Sequence, residues 1–195
     1  MKFIRPFEAM QLAKTYLTSP RFIRWEIVGD VRLYTGGVST IDVLVVPDYG
    51  MRVHENLPGV ASTIRPAGPN RFVCEVPLTH INCDGTIPGR IYLTSMRDLG
   101  RQQILRTGTP EFAEWIRSRW RSLGFVDTPY GLCLKAEAVK GKGRTYMPKS
   151  DIKICNFPTE ESVFSMLGLR FVHPVNRINK QWLSNPIRPN SYSRP

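Results

Sequence analysis

Apolar residues recur along this chain in three ways: at helical spacing, in alternation, and in unbroken runs. Pro6 to Leu17 has helical spacing, with Phe7, Met10, Ala13 and Leu17 on one face and Lys14 to the side. Ser19-Pro20 ends that element. Phe22 to Val28 alternates and predicts a strand. Val43 to Val46 is an unbroken apolar run, which predicts a strand buried on both faces, with Asp42 at its start. The approach to it carries Gly29, Gly36 and Gly37, points where something could come close to the main chain. Residues 47–70 are rich in Pro and Gly and read as irregular. Arg71 to Val76 and Arg90 to Thr94 predict two more strands.

The second half begins with a strong helix signal. Thr109 is an N-cap, Pro110 a first helical residue, and Gly124 a stop. Phe112, Trp115, Ile116, Trp120 and Leu123 lie on its apolar face and read as core. A basic insertion with Lys140, Lys142, Arg144, Lys149 and Lys153 around two glycines predicts a hairpin or loop. Thr159 caps a short helix that buries Val163, Phe164 and Leu167 and stops at Gly168. Residues 178–195 are dominated by Asn, Pro, Ser and Arg. Their composition predicts disorder, with Trp182, Leu183, Ile187 and Tyr192 as anchors on a partner or against the chain's own domain.

Three segments carry a family resemblance. Gly29 to Val46, GDVRLYTGGVSTIDVLVV, resembles the palm motif of family X DNA polymerases, within the nucleotidyltransferase superfamily. Leu105-Arg-Thr-Gly-Thr109 resembles that family's Tyr-Phe-Thr-Gly-Ser. Thr159 to Arg177 is very like its thumb ending, and Phe125 to Lys135 maps onto the strands before it. The resemblance covers about residues 5–177. It implies an α/β nucleotidyltransferase palm with a mixed sheet over residues 1–104, packed by the helices at 6–17 and 110–123. A small α+β thumb with the basic loop would span 105–177, and an extended tail 178–195. A full-length member of that family carries fingers and lyase domains before the palm, and residues 1–28 are not expected to hold either. A minimal viral or phage member is the useful comparison.

The same resemblance implies a degraded site. Gly29, Arg32, Thr107, Gly108 and Thr109 stand as remnants of the nucleotide site. Asp30 takes the place of a phosphate-binding Ser, Leu33 that of a second Arg, and Ser39 that of a Gly. Asp42 matches one catalytic Asp, but Thr40 replaces another. The third falls on Arg90 by an ungapped count, or on Tyr92 with a two-residue gap. Pro110 and Ala113 replace residues near the nucleotide base, while Arg117 matches a template-contacting Arg. Two-metal nucleotidyl transfer needs clustered carboxylates, and Arg90 would compete with a cation for Asp42. Asp84 and Asp98 read as solvent-facing loop groups.

Charge adds a direction. The formal net charge is +11. Residues 1–96 hold 10 Lys and Arg against 8 Asp and Glu, and residues 97–195 hold 17 against 8. The C-terminal half is therefore the expected polyanion-facing part, through Arg117, Lys140, Lys142, Arg144, Lys149 and Lys153. Cys74, Cys83, Cys133 and Cys155 lack the paired spacing of a zinc site, and His80 with Cys83 has no evident further ligands. No long apolar run and no signal peptide appear, which predicts an intracellular protein away from membranes, in cytoplasm, nucleoid or virion.

The first functional reading is a catalytically inactive polymerase-like protein. It would bind DNA or RNA, or serve as an architectural subunit of a larger assembly contacted through residues 178–195. No cofactor or metal is expected in that reading. The second is a metal-dependent nucleotidyltransferase with an atypical site, in which Asp42 and Asp30 hold Mg²⁺. The third is a purely protein-binding structural component.

Overall fold

A computed structural model describes residues 3–34, 36–68, 70–141, 146–149 and 154–184. By internal contacts the chain divides into two units. The first comprises Met1–Met96 with Arg106–Gly108, and the second Arg97–Leu105 with Thr109–Pro195.

The first unit is a five-stranded mixed sheet under a helix. Helix α1, Pro6–Tyr16, opens with Pro6 in its first turn, and the Glu8 carboxylate accepts a hydrogen bond from the Arg5 amide at 2.8 Å. Strands β1 (Phe22–Val28), β2 (Ile41–Pro47), β3 (Arg65–Pro66), β4 (Arg71–Pro77) and β5 (Thr86–Leu93) lie in the order β1-β2-β5-β4-β3. Only β2 and β5 run parallel. Ile41, Val43 and Val45 of β2 join Ile87, Ile91, Cys74 and Val76 in one cluster with Ala9, Leu12, Ala13 and Leu17 of the helix segment. The alternate residues Asp42, Leu44 and Val46 point to the other face and are also buried, so β2 is covered on both sides.

Two sequence expectations shift here. On α1 and its cap the predicted Ala13 and Leu17 are fully buried and Met10 packs on the core, but Ala9 and Leu12 join them while Phe7 is 62% exposed, so the buried face is turned away from Phe7. Strand β5 starts at Thr86 rather than Arg90. Pro88 sits where β5 pairs only with β4, before its parallel pairing with β2 begins at Gly89, so its missing N–H breaks no rung there.

The second unit has its own core of Ile104, Phe112, Ile116, Trp120, Leu132, Phe157, Val163, Phe164 and neighbours. Its elements are α3 (Leu99–Arg106, whose last residue groups with the first unit), α4 (Pro110–Ser122), hairpin strands β6 (Phe125–Thr128) and β7 (Gly131–Leu134), β8 (Ala138–Lys140), β9 (Tyr146–Pro148) and α5 (Glu160–Met166). Thr109 caps α4 by accepting from the Phe112 amide at 3.2 Å, and Thr159 caps α5 from the Ser162 amide at 3.3 Å. Helix α4 packs in this second core, not on the mixed sheet as the sequence suggested. Leu123, expected on its buried face, is 39% exposed, since the helix has ended by that residue.

Asp98 corrects another expectation. It is 5% exposed rather than solvent-facing, because Arg101 binds both its carboxylate oxygens, at 2.6 and 2.7 Å, one turn along the chain. The start of the C-terminal segment is also ordered against its own unit. Gln181–Ser184 forms a 3-10 turn, and Trp182 is buried with its ring 5.5 Å from Phe112 and 5.0 Å from Trp115. An apolar indole next to two aromatic rings outweighs the polar composition around it. Ile187 and Tyr192 lie outside the described residues. Among the described residues no helix is long and apolar enough to cross a membrane.

Candidate functional site

The buried end of β2 places Asp42 beside two neighbours. Val28 of β1 lies across one edge and Arg90 of β5 across the other. Gly29, at φ +69°, follows Val28, and a Cβ there would fall 2.9 Å from Asp42 Oδ2. The glycine therefore lets the backbone turn close against the carboxylate. Arg90, not Tyr92, stands directly opposite Asp42. Its Nε donates to Oδ1 at 2.6 Å and its Nη2 to Oδ2 at 2.9 Å. That is a two-pronged pair in which the fork matches the carboxylate plane.

The pair is buried at one end only. The Asp42 side chain is 11% exposed and that of Arg90 40%. Burial pushes the Asp42 carboxyl above the ordinary carboxylate range, opposed by attraction and hydrogen bonding from Arg90. The exposed Asp30, at the start of helix α2 (Asp30–Leu33), adds to the upward push, and Arg106 opposes it. The Arg106 guanidinium lies 3.6 Å from the centre of the Tyr92 ring. Thr40 lines a separate cavity of about 380 Å³ with Thr63, Arg65, Glu75 and Arg90.

Two solved structures of Leishmania infantum polymerase beta, a ternary P/T complex and a ternary gap complex, are similar to this chain. Their TM-scores are 0.67 and 0.68, at 18% and 19% sequence identity. The matches cover 90% of this chain and 77% and 71% of those chains. The chain has a polymerase palm-and-thumb fold. No protein-family model matches the sequence, and no curated protein does.

The palm-like unit thus brings Gly29, Asp30, Asp42 and Arg90 together, with Tyr92 and Arg106 close by. Arg32 is half-buried on α2, and Thr107 is fully buried. Gly108 takes φ +135°, while Thr109 belongs to the thumb-like unit as the α4 cap. Among the described residues no group of three or more His, Cys, Asp and Glu is placed to hold a metal ion. The donor set beside Asp42 does not fit Mg²⁺. That ion takes oxygen ligands in near-octahedral geometry, whereas both Asp42 oxygens accept from a guanidinium and the facing strand offers Arg90 and Tyr92.

The sequence reading missed Arg106 as a member of this group. Its only sequence signal was the loss of an aromatic at that position. Of the basic candidates, Arg117 lies 3.8 Å from Glu114 on α4, Lys140 is exposed on β8, and Lys149 Nζ donates to the Ala136 carbonyl at 2.8 Å. Lys142, Arg144 and Lys153 lie outside the described residues.

Proposed function

We propose that this protein is a polymerase-fold pseudoenzyme that acts as a nucleic-acid-binding or architectural subunit of a larger assembly. The observation that carries the reading is the two-pronged Arg90–Asp42 ion pair. Two-metal transfer holds both the attacking and leaving oxygens with cations, and those cations need negative ligands. Here a positive side chain donates to both carboxylate oxygens, neutralising the charge a cation would need. A cation entering would have to displace Arg90 and strand it beside the ion. Binding of nucleic acid draws support from the basic C-terminal half and its exposed cations.

One observation favours the active alternative. The Asp30 carboxylate adds to the upward push on the Asp42 carboxyl, so a second negative charge acts at this site. The experiment separates the readings. Nucleotide incorporation on primed and gapped DNA is measured with Mg²⁺ and with Mn²⁺ for wild type, Asp42→Asn, and a Thr40→Asp, Arg90→Asp double variant. Wild type is expected to show no metal-dependent incorporation. The deficit is several orders of magnitude, since losing stabilisation of several kcal/mol costs a factor of ten for each ~1.4 kcal/mol. Incorporation by wild type that disappears in Asp42→Asn would establish the active alternative.

A further inference from the structure

The thumb-like unit holds a concave surface of its own. A cavity of about 250 Å³ is lined by Arg121 of α4, Phe125 and Asp127 of β6, Lys135 after β7, and Tyr146 of β9. We infer that this cavity is a subsite for one base and its phosphate from a single-stranded nucleic acid. The inference rests on the nucleic-acid-binding reading above and gives it a location and a strand type.

The cations come from three elements. Lys135 is exposed and makes no ion pair among the described residues. Arg121 pairs with Glu114 at 2.7 Å yet keeps its side chain 52% exposed, and Glu114 is shared with Arg117. Lys140 stands directly across the β8–β9 hairpin from Tyr146, so both side chains leave the same face. The acidic member of the lining, Asp127, shares Arg101 with Asp98, so that trio keeps one negative charge. Against it stand Lys135, Lys140 and the surplus of Arg121 and Arg117 over Glu114, so the named groups are net positive where a phosphate would sit.

The aromatics decide the strand type. Tyr146 and Phe125 are both half-buried, each leaving part of its ring in the cavity wall. Rings set among cations are how sequence-tolerant single-strand sites are built: bases stack on the rings while the groove tracks the backbone. A duplex has its base faces already stacked on one another and offers only its phosphates to such a surface.

The test is fluorescence anisotropy with a labelled thymidine oligodeoxynucleotide, a uridine oligoribonucleotide of equal length, and a duplex of mixed sequence, each across a salt series. Tyr146→Ala is expected to weaken single-strand binding about fivefold or more, while Tyr146→Phe binds as wild type and duplex binding is unchanged. A Lys135→Gln, Arg121→Gln double variant is expected to flatten the single-strand log–log salt slope by about 1.4, roughly 0.7 for each phosphate contact. This pattern with either oligomer supports the subsite, and the tighter oligomer identifies the strand. Thermal melts keep unfolding from being read as lost contact. Should Tyr146→Ala unfold, the charge variant still decides. Wild-type affinity and slope in every variant would overturn the subsite while leaving nucleic-acid binding standing. Equal losses on duplex and single strand would also overturn it. No binding of any probe by wild type would overturn both readings.

Discussion

Arg177 is a cation with no exposed surface, and Glu160 beside it is 3% exposed. Arg177 Nη1 donates to Glu160 Oε1 at 2.7 Å, and its Nε and Nη2 both donate to the Val172 carbonyl, at 3.0 and 2.9 Å. Its guanidinium lies 5.3 Å from the Phe112 ring centre and 5.8 Å from those of Phe164 and Phe171. Removing one partner of such a pair leaves a charge in an apolar core. We expect Arg177→Ala to lose about 3–5 kcal/mol of stability, read from urea unfolding. Arg177→Met with Glu160→Gln should recover much of that, because no charge is left stranded. A loss under about 1 kcal/mol in the single variant would contradict the burial argument. The Arg90–Asp42 pair differs: its fork grips both oxygens of one carboxylate, and it opens to solvent on the arginine side. Its consequence is therefore for what can bind Asp42, more than for stability.

At the scale of elements, helix α3 shows how one position joins two parts of the thumb-like core. Gly100 donates its amide to the Phe157 carbonyl at 2.8 Å, and a Cβ there would fall 2.0 Å from the carbonyl carbon and oxygen of Thr159. The obstacle is backbone, which cannot swing aside as a side chain does. Gly100→Ala should therefore cost about 1–3 kcal/mol, although alanine is the better helix former. A thermal melt checks the sign, since propensity alone predicts a gain. The sequence did not announce α3, because Leu99–Arg106 holds few apolar residues and its helix is fixed by this contact and by the Asp98–Arg101 pair. Helix α4 was legible because its cap, first-turn proline, aromatic spacing and terminal glycine all agree.

Across the whole molecule the charge is lopsided, with most of the net +11 carried after residue 96. If that half contacts phosphates, neutralising its cations must change the salt dependence as well as the affinity. For Arg117→Gln, Lys140→Gln and Lys149→Gln combined, the duplex log–log slope should fall by up to about 2.7, roughly 0.9 for each contact. An unchanged slope would remove that surface from the binding reading. Lys149 contributes less than a full share in this set, since its ammonium is already engaged by a main-chain carbonyl.

The sequence by itself determined the elements whose signals are local. β1, β2 and β4, the α4 and α5 caps, and the basic half were all readable from period, cap and charge. So were the residue types at the motif positions, Thr40, Asp42 and Arg90 among them, which need no coordinates. Tertiary structure alone decided what depends on residues far apart in the chain. Which face of α1 turns inward followed from the fit of Ala9 and Leu12 against the sheet. That Arg90 and not Tyr92 meets Asp42 followed from the parallel register of β2 and β5, because the two residues share a face and only the register decides which stands opposite. Burial of Arg177 and Trp182 followed from partners in space: one carboxylate and two aromatic rings. Composition lists such groups as polar or exposed until a fold supplies those partners.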